Sequence, residues 1–244
     1  ERGKEVIHFR EAFHGRTGYT MSLTNTNDPN KTKFFPKFNW PRVLNPKVRF
    51  PVKDENLEAV EKDERAAMDE INRILKERGD DIAAILIEPI QGEGGDNHFR
   101  PEFLQALRDA ADQNDVILIF DEVQTGMGTT GKVWAHQHHG VQPDIICFAK
   151  KAQVGGMLCN DRLLSEEKNV YTIPSRISST WGASLTDMIR CKKYLEIIER
   201  DNLIQNAADR GKEIVEKLQG VAQRTELTEN VRGLGCFIAF DLVH

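Results

Sequence analysis

The chain reads as an α/β protein built on a mostly parallel sheet. Three observations point there. The strand-like runs Ile82–Ile87, Val116–Phe120 and Asp144–Phe148 lack the in–out alternation of a half-exposed strand, as expected of strands covered on both faces. Helical periods alternate with them, the pattern of a parallel sheet flanked by helices. Polar or charged residues follow each run: Glu88, Asp121 and the pair Lys150-Lys151. Sheets of this kind bind ligands outside the carboxyl ends of their strands.

The elements follow in order. Val6–Phe9 is a short strand, and Phe13–Tyr19 a glycine-punctuated turn. Asn25–Val52 is the least regular stretch and carries five of the nine prolines, with Phe34, Phe35, Phe38 and Trp40 among them. Loops of this length are functional or disordered; the aromatics argue for an ordered loop packed on something, another subunit included. Glu55–Arg78 is a helix, with Leu57, Val60, Met68, Ile71, Ile74 and Leu75 at helical spacing and Gly79 as its stop. Pro101–Asn114 is a second helix and Trp134–His139 a short one. Ser184–Arg200 and Leu203–Leu218 are two long helices, the latter stopped by Gly220. Phe237–Val243 reads as a closing strand.

The 244 residues suffice for one or two domains with a sizeable core. We expect a large domain over 1–220 and the start of a smaller one over 221–244. A net charge of −5 with mixed signs argues against nucleic acid as a partner. No apolar run approaches the roughly 20 residues of a membrane helix. The four cysteines are far apart and form no CxxC, as in reduced thiols of a cytoplasmic setting. Both ends read as cuts in a longer protein.

Asp121 stands at a strand end after five apolar residues, where a lone carboxylate is costly to bury and calls for a cationic partner. Capping a neighbouring helix is the plain alternative. Lys150 and Lys151 close the next strand; an amine in a partly desolvated pocket has a lowered pKa and forms imines. Alone, the pair would read as solvated lysines. A carboxylate at one strand end with a lysine at its neighbour is the arrangement pyridoxal phosphate requires: the lysine forms an imine and the carboxylate keeps the pyridine nitrogen protonated. Glu88–Gly95 (EPIQGEGG) allows close backbone approach to a ligand, or is an ordinary turn. Ser178–Gly182 (SSTWG) precedes a helix and suits a phosphate, a helix cap, or both. Arg16 can clamp a carboxylate at two points, although a loop arginine is usually solvated. His136, His138 and His139 read as helix surface rather than a metal site.

Taken together these words resemble the class III (ω-amino acid) aminotransferases. FHGRTGYTMSLTNT, PIQGEGGD, FDEVQTGMGTTGKVWAHQHHG, PDIICFAKK and STWGASLTDM occur in that family's order and cover nearly the whole chain. The resemblance implies the large domain of an aspartate aminotransferase-type (fold type I) transferase, truncated at both ends, with pyridoxal 5′-phosphate as cofactor. It implies Lys150 as the imine-forming lysine, six residues after Asp144, and Asp121 at the pyridine nitrogen. Val123 and Phe13 then cover the two ring faces, and Gln124 bonds the ring hydroxyl. Ser179 and Thr180 reach the phosphate held by a neighbouring subunit, which implies a homodimer. Arg16 binds a substrate carboxylate, and Glu93 covers an arginine that recognises 2-oxoglutarate. REAFHGRTGYTMSLTNT, FPKFNWPR, GEGGDNHFRPEF and SSTWGASLTDM resemble most the members that transfer the ε-amino group of L-lysine to 2-oxoglutarate, giving the semialdehyde and glutamate. Members acting on 4-aminobutyrate or ornithine are the alternative, and a non-catalytic piece that folds and dimerises is a third. The family's phosphate loop and its arginine are expected before residue 1 and after residue 244, so weak or no catalysis is expected of this piece alone.

Overall fold

The computed structural model describes residues 2–243. The first half holds β1 (Glu5–Phe9), α1 (Gly18–Leu23), β2 (Arg42–Val43), α2 (Asp54–Arg78), β3 (Ile82–Ile87), β4 (Ile90–Gln91), β5 (Asn97–His98) and α3 (Pro101–Gln113). The second holds β6 (Ile117–Asp121), α4 (His136–His139), β7 (Ile145–Phe148), β8 (Gly156–Cys159), α5 (Asp161–Leu164), α6 (Leu185–Arg200), α7 (Leu203–Arg224), β9 (Thr228–Leu234) and β10 (Phe237–Leu242). Six strands form one sheet in the order β2-β1-β3-β6-β7-β8, parallel except for β8 at its edge. The expected fold class is therefore the observed one.

Local chemistry explains the elements that cover the sheet. Val60, Ala67, Ile71, Ile74 and Leu75 are the buried apolar side chains of α2, spaced to line one face. Asp54 and Glu55 in its first turn and Lys76 and Arg78 in its last oppose the helix dipole. Pro101 opens α3, where its missing N–H costs nothing. Both helices pack on the central strands: Ile71, Phe103, Leu104 and Leu107 share one core with Ile7, Phe9, Ile85, Leu118 and Phe120. Phe9 and Phe103 meet edge to face, 6.0 Å between centroids.

Several expectations need correction. α7 runs through Gly220 to Arg224. A glycine inside a helix costs only ~1 kcal/mol, and the packing of α7 against β9 outweighs that. The closing strand is present as β10; it pairs antiparallel with β9, a strand the sequence did not reveal. β8 was likewise unforeseen. His136 is buried rather than on the surface, and His138 and His139 are half-buried. The expected domain limit between residues 220 and 221 lies within α7, and the outer limits at 1 and 244 lie outside the described residues. No helix among the described residues is long and apolar enough to cross a membrane.

Candidate active site

Strand alignment brings the candidate residues to one edge. Ile87 pairs with Phe120 and Asp121 with Cys147, so Glu88, Asp121 and the turn after Phe148 emerge side by side. β1 lies parallel beside β3 and delivers the Phe13–Arg16 loop to the same edge.

Asp121 anchors this cluster. Its side chain is 11% exposed, and its Oδ2 accepts from His14 Nδ1 at 2.8 Å. Its Oδ1 accepts from the Val123 amide at 3.0 Å. The His14 side chain is 2% exposed. Burial alone would lower its pKa, but the hydrogen bond and charge of Asp121, with the charge of Glu88, raise it above the ordinary value. Glu88 is 3% exposed. Its Oε1 accepts from the Phe13 amide at 2.8 Å and its Oε2 from the Gly92 amide at 3.1 Å. Burial pushes its carboxyl up to about 7, against the opposing pull of His14 and these amides.

The glycine loop fits against the DEVQTG segment. A Cβ on Gly92 would stand 2.6 Å from Gln124 Oε1, so a larger residue here would push the Gln124 amide from its place. Val123, Gln124 and Phe13 are half-buried. Lys151 is half-buried, and its Nζ donates to the Gln124 carbonyl. Burial, then the neighbouring Lys150 charge, lowers its pKa to about 8. Lys150 opens the short turn Lys150–Ala152 and is exposed. The lysine turned toward DEVQTG is thus Lys151, while the spacing of the resemblance selects Lys150.

Glu93 lies in the same glycine loop. Its Oε1 accepts from Thr26 Oγ1 and from Lys31 Nζ, both at 2.6 Å. Its Oε2 is buried and meets no donor among the described residues. Arg16 is exposed. Ser179 and Thr180 lie in an exposed turn beside Trp181, itself 85% exposed. No hydrogen bond among the described residues joins them to the Asp121 cluster.

Three further residues shape the site. His14 and Glu88 escaped assignment because their partners are remote in sequence; the alignment of strand ends is the signal that pairs Glu88 with Asp121. Glu122 is the third. It is buried and accepts from the Ala135 and His136 amides at 2.6 and 2.9 Å and from His136 Nδ1 at 3.0 Å. His136 therefore secures the loop after Asp121 from behind. A shielded carboxylate, an amine shifted toward its neutral form and a loop cleared by glycine make a donor set that fits pyridoxal phosphate.

Comparison with known proteins agrees with this geometry. The family described as aminotransferase class-III matches residues 1–244. An L-lysine-epsilon aminotransferase of Amycolatopsis lactamdurans is 46% identical over 98% of this chain and 53% of its own length. A 4-aminobutyrate aminotransferase of Emericella nidulans is 37% identical over 97% of the chain and 47% of its own. The solved lysine aminotransferase from M. tuberculosis, in the internal aldimine form, superposes with a TM-score of 0.94 at 47% identity, covering 99% of this chain and 55% of that one. The chain thus spans about half the length of the curated relatives it matches.

Proposed function

Because the chain belongs to the class-III aminotransferases, we propose that it serves a pyridoxal phosphate-dependent transfer of the ε-amino group of L-lysine to 2-oxoglutarate. The observation that carries the substrate is the margin between 46% identity to L-lysine-epsilon aminotransferases and 37% to a 4-aminobutyrate aminotransferase. When bound, the cofactor ring supplies an electron sink that lets a proton leave the carbon bearing the amine. The chain's own residues do the rest. Asp121, backed by His14, holds a proton at the ring nitrogen. Phe13 and Val123 would flank the ring, and Gln124 would bond its hydroxyl. Lys150 carries the cofactor and moves the proton. Arg16 orients a substrate carboxylate, and Glu93 stands near the oxoacid end.

Ser179 and Thr180 serve the phosphate of a second copy, so the working unit is a homodimer. Support comes from the apolar exposure around them: Ile177, Trp181, Leu185, Met188 and Ile189 all face solvent in the single chain. A cytoplasmic setting completes this reading, supported by four free thiols.

The test is glutamate formation from 2-oxoglutarate by the full-length protein offered lysine, ornithine or 4-aminobutyrate. We expect kcat/KM for lysine to exceed the others by roughly tenfold or more. Equal or greater efficiency with 4-aminobutyrate or ornithine overturns the substrate, and a colourless protein without transaminase activity overturns the reaction.

A further inference from the structure

One side chain, Glu88, bonds both of the loops that carry this site's residues. The loop after β1 carries Phe13, His14 and Arg16; the loop after β3 carries Gly92 and Glu93. Between them lies the Glu88 carboxylate, one oxygen on the Phe13 amide and the other on the Gly92 amide. A carboxylate 3% exposed and bonded to two backbone donors is a fixed point. Its burial is costly, because an ionised group leaves water for only two amide bonds. A turn needing no more than a staple would be served by a neutral acceptor. The position of the charge suggests why a carboxylate stands here. Glu88 follows Ile87, the strand partner of Phe120, and so stands beside Asp121. His14 bonds Asp121 through Nδ1, and its buried Nε2 meets no partner among the described residues.

We propose that Glu88 is a positioning residue, which ties the loop bearing Phe13 to the loop bearing Glu93 and, when ionised, places a second negative charge behind the His14–Asp121 pair. Its consequence for catalysis rests on the transaminase reading above; its geometry does not. The titratable groups facing Glu88 are His14, whose charge favours the ionised carboxyl, and Asp121, whose charge opposes it. Glu88 in turn favours the charged imidazole. The proton balance of Glu88, His14 and Asp121 is therefore shared, and a bond at the ring nitrogen would feel all three.

The inference is tested on the full-length protein with the variants Glu88→Gln and Glu88→Asp. Glutamine offers one acceptor oxygen and turns an NH2 toward the second amide. Hydrogen exchange should then speed up roughly tenfold or more at Phe13 or Gly92, while Ile85 and Leu118 in the core stay protected. The His14 imidazole, followed by NMR with labelled histidine, should titrate at lower pH in Glu88→Gln, because burial is then opposed by Asp121 alone. Glu88→Asp keeps the charge and should return the His14 midpoint toward that of the parent. A structural staple would change the exchange and leave His14 unmoved. That result overturns the charge role, and unchanged exchange in both variants overturns the tie. Should Glu88→Gln fail to fold, exchange at Phe13 and Gly92 in Glu88→Asp decides. Absence of pyridoxal absorbance in the purified parent would refute the transaminase reading while leaving these two measurements standing.

Discussion

Asp121 illustrates how much one carboxylate depends on its surroundings. It is 11% exposed and held on both oxygens, so its charge has a fixed place and direction. Asp121→Asn keeps the shape and removes the charge. We expect glutamate formation by the full-length protein to fall at least about a hundredfold, the scale of losing one preorganised electrostatic contact. Lysine assignment is a separate matter, since spacing selects Lys150 and geometry turns Lys151 toward Gln124. Lys150→Ala should abolish the visible absorbance of bound cofactor, while Lys151→Ala should keep it with a shifted midpoint. The reverse outcome would transfer the role to Lys151. Asp121 was legible in the sequence because an acid directly after five apolar residues has few explanations. His14 was not, because its meaning lies in a contact across 107 residues. His136 misled for the same reason: its partner Glu122 is fourteen residues away, and three histidines on a short helix look like a solvated face.

Among the elements, legibility followed length and burial. The strands β3 and β6 and the helices α2 and α3 carry the apolar residues of the core, and their limits fell within about two residues of expectation. β8 has four residues, three of them exposed, so it leaves no pattern to read. β9 was hidden by Asn230, whose φ is +51°, and by Gly233. The β9–β10 hairpin is held by side chains, among them Asn230 and Arg232 on Asp241, and by close backbone contact. A Cβ on Gly211 of α7 would stand 1.8 Å from the Gly235 carbonyl oxygen, and the Cys236 amide donates to Thr129 O at 2.9 Å. Gly211→Ala therefore sets two effects against each other. Alanine favours the helix by about 1 kcal/mol, whereas overpacking against rigid backbone costs typically about 1–3 kcal/mol and sometimes more. The overlap here is severe, so the clash should win, and denaturant unfolding should show a net loss of stability.

For the molecule as a whole, buried imidazoles set the response to acid. Burial lowers His8 to about 4, His98 to about 3 and His139 to about 4, from 6.5. Their folded pKa values lie below the unfolded ones, so the stability they contribute is complete above pH 6.5 and is lost as pH falls toward 4. Each costs on the order of 1–3 kcal/mol across that window. Glu88 acts oppositely: its raised pKa makes the fold lose stability as pH rises from about 4.5 to about 7. Asp96, raised by burial to about 6, acts with Glu88. Three groups outweigh these two, so urea midpoints should drop between pH 6.5 and 4; a flat profile would contradict the neutral assignment of these histidines. The proposed pairing of two copies belongs to this scale too. Trp181→Ser in the full-length protein should shift sedimentation toward the monomer, because so exposed an indole gains only by being covered.

The two borders of the main sheet bear on how such copies can meet. β2 on one side is two residues long, and β8 on the other is four and runs against its neighbours. Short borders offer too few free amides and carbonyls to template another chain. Contact between copies is thereby steered away from strand addition and toward side-chain surfaces. Among the described residues, the same brevity leaves this sheet little with which to template edge-to-edge growth.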